Sequence, residues 1–322
     1  PDLQNSFAQG VLNARADVPL EGQGLGGKEL DRRENSGTSF DDAITDYYGN
    51  QKQKSGRNNR AGDDYYPTPE PVGFKMVEWA DMDEDDSVLE PSAGHGAIAR
   101  YVPMANQLTA IEPSGTLFGR LQLTAGGGLN RKYEQDVFEN YHIVNKHDVV
   151  LMNPPYGHAG ATAMEHLKKA FGHLSEGGRV LAIIPRGAMD KKLDKWLEET
   201  PEAVMRGEVL LPSATFTQAG TSVITRVVAI DRISREVTRE GVTGYVYEDL
   251  SDAKDVSDLF ERLRDIEMPD RIIDEVAIKT KRVKPFASEF AELKGKRYSL
   301  EVKDDVVRVK DGYYTMFISP LA

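Results

Sequence analysis

The chain has 322 residues, 39% of them hydrophobic, a formal net charge of −12 and no cysteine. That length holds one large domain plus appendages, and the lack of cysteine excludes a disulfide framework, a thiolate nucleophile and a Cys-based zinc site. The acidic total argues against strong autonomous affinity for a DNA duplex, while leaving room for a local basic groove or for partner domains that supply the phosphate contacts.

No apolar run reaches the roughly 18 residues that span a bilayer, and no signal peptide is evident, so a cytoplasmic location is expected. Pro1 rather than Met heads the chain, which predicts a processed product or a piece of a longer parent. Residues 1–63 read as a flexible arm. Periodic apolar positions are few there, and 22–27 and 58–62 are rich in breakers. A short helix over 39–48, N-capped by Ser39, fits the pattern. Lys52, Lys54, Arg57 and Arg60 form a basic cluster, read as a solvated linker or, more sharply, as a phosphate-touching arm.

Asp64-Tyr-Tyr-Pro-Thr-Pro-Glu70 follows. Two prolines stiffen an extended segment and leave Thr68 between them with a free hydroxyl. A helix is expected over 72–80, and the acid-rich 81–86 reads as a solvated loop. Residues 87–90 are a short strand running into Pro91-Ser-Ala-Gly-His-Gly96 and a helix over 97–102. Strand, glycine-rich turn and helix start make a site for a polar cofactor, because backbone approaches closely and free N–H groups point outward. His95 reads as a spacer. The next strand, 107–111, ends in Glu112, whose carboxylate suits two ribose hydroxyls. Gly94, Gly96 and Ala99 with that downstream acid also loosely fit a dinucleotide fingerprint.

A helix over 114–124 and a strand over 132–135 come next, the strand ending at Asp136-Val137. The apolar strand 148–152 then ends in Asn153-Pro154-Pro155-Tyr156, which no strand can continue. Each proline lacks an N–H and fixes φ near −65°, and Asn153 and Pro154 are pushed to extended geometry by the proline that follows them. This stiff corner suits an exocyclic amine. The Asn153 side-chain oxygen and the Pro154 carbonyl can each accept one N–H, and the Tyr156 ring can stack on a flat heteroaromatic, worth roughly 1–3 kcal/mol per base. A helix over 161–174, a strand over 179–184, a helix over 191–199 and a closing pair of strands, 204–211 and 222–231, complete the pattern. Alternating strands and helices predict a parallel sheet with helices on both faces. Glu90, Glu112, Asp136 and Asn153 all fall at carboxyl ends of strands, where such sheets bind ligands. Beyond residue 232 a strand over 244–248, a helix over 256–266 and one or two strands over 298–310 read as a small α+β appendage.

These residues together make 64–231 resemble the class I S-adenosylmethionine-dependent methyltransferases, and more narrowly the gamma group of DNA adenine-N6 enzymes, in which the Tyr66–Pro69, Glu90–Gly96 and Asn153–Tyr156 motifs occur in this order. The resemblance implies a Rossmann-like sheet of seven strands with strand seven antiparallel. It implies that Tyr66, Thr68 and Pro69 face the methionine part of S-adenosylmethionine, that Glu90, Pro91, Ala93, Gly94 and Gly96 shape its pocket, and that Glu112 takes the ribose. Asp136 and Val137 would hold the adenine ring of the cofactor. Asn153, which also adjoins the cofactor, would act on the target amine with Pro154, Pro155 and Tyr156, and Phe216 would give the base a second stacking face. No metal and no membrane is implied. The partner would be double-stranded DNA with one base flipped out, as in bacterial or phage restriction-modification. The group's large recognition domain is not evident after Arg232. Three other readings stay open: adenine in RNA, glutamine nitrogen in a protein, and a non-catalytic cofactor- or nucleic-acid-binding module of a larger phage or antirestriction protein. A dehydrogenase would leave Asn153–Tyr156 unexplained.

Overall fold

The computed structural model describes residues 39–54, 66–142, 146–219, 223–234 and 237–273, with three further strands between 299 and 318. Its helices are α1 (Phe40–Lys54), α2 (Glu70–Trp79), α3 (Gly115–Thr124), α4 (Ala161–His173), α5 (Asp190–Glu199) and α6 (Val256–Arg264). The main sheet holds β1 (Ser87–Glu90), β2 (Gln107–Ile111), β3 (Arg131–Glu134), β4 (His147–Met152), β5 (Leu174–Pro185), β6 (Ala203–Leu211), β7 (Thr225–Arg232) and β8 (Val246–Asp249), in the order β3-β2-β1-β4-β5-β7-β6-β8. Only β7 runs antiparallel to its neighbours β5 and β6. The expected seven-strand Rossmann-like order is therefore present, with β8 added in parallel beside β6.

Period-two alternation splits each central strand between two cores. Val149 and Leu151 of β4 join Val72, Met76, Trp79 and Leu121 on one face, while Val150 and Met152 join Leu167, Phe171 and Trp196 on the other. Every residue of β4 is buried, as a strand covered by helices on both faces must be. That places Asn153 at the end of a rigid, fully packed element.

Three local expectations change. The helix expected over 97–102 is only a 3₁₀ turn, Ala99–Tyr101, because Gly94 and Gly96 before it both take positive φ and Pro103 ends it. Within the expected flexible arm, the short helix expected over 39–48 with Ser39 as its cap is present, but it runs from Phe40 to Lys54 and is packed. Ser39 Oγ accepts from the Asp42 N–H at 3.2 Å and the Asp42 carboxylate accepts from the Ser39 N–H at 3.0 Å, a reciprocal cap with Asp in the usual Glu place. Phe40, Ala43 and Tyr47 are buried, and Tyr47 packs edge-on against Phe260 of α6 at 4.9 Å. The basic residues Arg57 and Arg60 lie outside the described residues.

The third change concerns the carboxyl-terminal third. β8, α6 and the segment through Ile272 belong to the main compact unit, and a second unit comprises 273–322, not 232–322. In the second unit β9 (Ser299–Lys303), β10 (Val306–Lys310) and β11 (Thr315–Ile318) form an antiparallel sheet ordered β11-β10-β9. What binds 264–272 to the main unit is a floor of buried charge at the amino ends of the strands. The Arg179 guanidinium donates to Asp231 at 2.6 and 2.9 Å, to the Trp79 carbonyl at 2.8 Å and to the Pro269 carbonyl at 2.8 Å. Arg271 pairs with Asp86, both side chains fully buried, so the expected solvated loop 81–86 ends in a structural anchor. Removing one partner of such a pair strands a buried charge. Asp231→Ala is expected to destabilise the main unit by about 3–5 kcal/mol, read as a fall in the urea midpoint at unchanged slope.

Candidate active site

The carboxyl ends of β1, β2 and β4 open onto a cavity of about 330 Å³, within the range of small-molecule sites. Tyr66, Thr68, Glu90, Pro91, Ala93, Gly94, Glu112, Val137, Asn153, Pro154, Pro155 and Tyr156 all line it. The glycine-rich turn and the proline corner, some 60 residues apart in sequence, thus share one wall.

The turn after β1 is braced by Glu112. Its carboxylate accepts from the Gly94 N–H and the Ser114 N–H, each at 2.8 Å. Gly96 does not line the cavity. It has φ +90, and a Cβ there would sit 3.1 Å from Leu121 of α3, so its work is to let the turn lie against that helix. Glu90, at the tip of β1, is 1% exposed, and its Oε2 has no hydrogen-bond partner. Burial, with a smaller push from Glu112, raises its carboxyl well above the usual range.

The corner after β4 is held from the amino-terminal side. Asn153 Nδ2 donates to the Tyr66 carbonyl at 3.0 Å and to Thr68 Oγ1 at 3.1 Å, while Asn153 Oδ1 accepts from the Tyr156 hydroxyl at 3.4 Å. Burial raises the Tyr156 phenol further above its usual value, so it stays protonated and a donor. The Tyr66 and Tyr156 rings lie near parallel, 15° apart with centroids 6.4 Å apart. Gly157 follows with φ 64 and ψ −171, a region open essentially to glycine alone. A Cβ there would lie 2.8 Å from the Thr162 Cβ.

Pro69, Asp136 and Phe216 do not line the cavity. Pro69 is the residue preceding α2. Asp136 caps a turn: its Oδ1 accepts from the Val137 N–H at 2.7 Å and from Asn140 Nδ2 at 2.8 Å, which presents Val137, Phe138 and Glu139 to the cavity instead. Phe216, 1% exposed, sits in the main core, where an apolar ring gains roughly 1.5–3 kcal/mol over exposure. The ring that lies near parallel to Tyr156 is that of Tyr66.

Among the lining residues that the sequence does not mark are two titratable ones, Glu139 and His166. His166 Nε2 lies 3.0 Å from Glu139 Oε1, and this hydrogen bond holds the Glu139 carboxyl below its usual range. Behind them lies a ladder of rings. Phe138 meets His166 and His173, and Tyr141 meets His173 and His147. Burial drops the imidazoles of His147 and His173 to about 4. The unfolded chain takes up those protons first, so stability is expected to fall as pH drops from about 6.5 toward 4, by about 3 kcal/mol for His147 alone. A urea-midpoint series should show this acid slope, and His147→Asn should flatten it.

Among the described residues, no group of three or more His, Cys, Asp or Glu side chains could hold a metal ion, and no helix is long and apolar enough to cross a membrane. No family model matches the chain, and no curated protein does so. Solved structures do. A protein from Listeria monocytogenes, assigned as a class I S-adenosylmethionine-dependent methyltransferase, is 14% identical with TM-score 0.52, over 73% of this chain and 80% of that one. A modification subunit assigned to a type I restriction enzyme of Vibrio vulnificus is 14% identical with TM-score 0.48, over 85% and 61%. A protein from Pyrococcus horikoshii assigned as an RNA methyltransferase is 18% identical with TM-score 0.46, over 55% and 91%. The Listeria structure gives the main unit the fold of the class I methyltransferases.

Proposed function

We propose that this chain transfers a methyl group from S-adenosylmethionine to the N6 amine of adenine in DNA. The observation that carries the reading is one cavity lined by both Gly94 with Glu112 and Asn153 with Tyr156. The residues suit the cofactor. Glu90 offers a buried carboxyl oxygen without a partner, a place for cationic charge, and Glu112 lies on the same lining at the end of β2, where the resemblance puts the ribose. Val137 and Phe138 offer apolar wall for a ring.

The cofactor, when bound, supplies an electrophilic methyl on its sulfonium. The protein positions and orients. Asn153 has its amide nitrogen committed to residues 66–68, so Oδ1, which also accepts from the Tyr156 hydroxyl, is the end that accepts a hydrogen bond from the amine with its second lone pair. Pro154 adds a carbonyl and no competing donor. A base leaves the stack at a cost of a few kcal/mol, and the near-parallel Tyr66 and Tyr156 rings offer it π faces. Holding the amine about 3–3.5 Å from the methyl turns a bimolecular step into a local one. The ring pair favours a flat base over a protein glutamine.

Methyl incorporation measured in competition among unmethylated duplex DNA, RNA and protein tests this. Label is expected in DNA, at adenine N6. Label confined to RNA or protein would move the substrate, and cofactor binding without transfer to any of the three would make the chain a binding module.

A further inference from the structure

Two proline-stiffened segments face each other across this cavity. One is Tyr66-Pro-Thr-Pro69, the other Asn153-Pro-Pro155. Each of Tyr66, Thr68 and Asn153 precedes a proline and is biased to extended backbone, so neither segment adjusts easily to the other. Between them the contacts run one way. The first segment offers acceptors, the Tyr66 carbonyl and Thr68 Oγ1, and both receive the Asn153 amide nitrogen at 3.0 and 3.1 Å. Pro67, lying between them, has no N–H to offer in return.

An asparagine amide has two ends of nearly the same shape and opposite polarity. Turned over, Asn153 would press its oxygen against the Tyr66 carbonyl and present two donors to the cavity, where they would repel an incoming amine. The Tyr66 carbonyl cannot relieve that clash and so sets the polarity, while the Thr68 hydroxyl adds the second point that holds the amide in place. Thr68 is buried and lines the cavity beside Asn153.

We infer that Thr68 is a positioning residue, whose hydroxyl oxygen, together with the Tyr66 carbonyl, fixes the Asn153 amide with its acceptor end toward the target amine. This rests on the proposed methyl transfer and deepens it. In this role Thr68 acts through Asn153. The lock joins residues 85 and 87 positions apart, so the site is complete only when the segment before α2 is seated on the end of β4.

Thr68→Val keeps the shape and removes the acceptor, and Thr68→Ser restores it. At saturating cofactor and DNA, Thr68→Val is expected to lower kcat about 10–100-fold, with cofactor Kd within about 3-fold of the parent and Thr68→Ser close to the parent; these ranges follow from losing one hydrogen bond that aims a reacting group. Unchanged kcat with the whole loss in cofactor Kd would overturn the inference. A second readout needs no activity: solvent exchange of the Asn153 side-chain amide protons, followed by NMR. Exchange should quicken in Thr68→Val and slow again in Thr68→Ser. If the parent methylates no polymer yet exchange responds in this way, the proposed reaction fails and the lock stands. If exchange is indifferent to residue 68 in a folded variant, the lock fails whatever the activity.

Discussion

Asn153→Ala is expected to abolish most methyl transfer to DNA while cofactor binding stays near that of the parent. In the proposed reaction the amide oxygen is the acceptor beside the reacting amine, and groups of this kind, preorganised where charge develops, are worth about 10²–10³ in kcat. The cofactor should be little affected, because the amide nitrogen is committed to the Tyr66 carbonyl and Thr68 Oγ1. Truncation leaves those two acceptors without their donor. A stability loss of about 1–3 kcal/mol should therefore accompany the kinetic one, and a melting curve separates the two. Single-turnover rates at saturating cofactor and DNA, with cofactor Kd measured in parallel, give the answer. Transfer at the parental rate by the alanine variant would remove Asn153 from the chemistry.

The parts of this site that could be read from residues alone are those whose cause is local. Pro154 and Pro155 stiffen the corner wherever it sits, and the buried apolar run before Asn153 demands a covered strand. The strand 107–111 was foreseen to the residue, since its two ends are marked by a loop and by Glu112. What escaped depends on partners distant in sequence. The helix that starts after Ser39 is legible from its cap, but its extension to Lys54 and the purpose of its stripe of Phe40, Ala43, Ile44 and Tyr47 are visible only once α2 and α6 stand opposite. Asp86 looks like one acid among several until Arg271, 185 residues on, is brought to it. Asp136 illustrates a limit of residue type: a carboxylate at a strand end can serve as a ligand or as the cap of the next turn, and only the structure shows its Oδ1 holding the Val137 N–H and the Asn140 amide. Phe216 reads as an available ring, but nothing in its neighbours reveals that the core would claim it.

Glu90→Gln should move two quantities in opposite directions. In the free protein the carboxyl is fully buried and its ionisation is opposed, first by desolvation and then by Glu112. The folded state holds this proton more tightly than the unfolded chain, whose carboxyl titrates near 4.5. Stability therefore falls as pH rises from about 4.5 toward the raised value. Glutamine has the same shape and no proton to lose, so the variant should lack that slope and be the more stable protein at neutral pH. Cofactor affinity should go the other way. A cation brought beside Glu90 draws the carboxylate into its charged form and gives the orphaned Oε2 a partner. Losing one member of such a desolvated charge pair costs about 2–5 kcal/mol, roughly 30-fold or more in Kd. Calorimetric titration with S-adenosylmethionine and S-adenosylhomocysteine locates the charge: a loss common to both assigns Glu90 to the ammonium they share, and a loss confined to the first assigns it to the sulfonium. Parental affinity for both ligands in the glutamine variant, with the pH slope of the free protein unchanged, would leave Glu90 a packing residue and the cavity without its proposed cationic subsite.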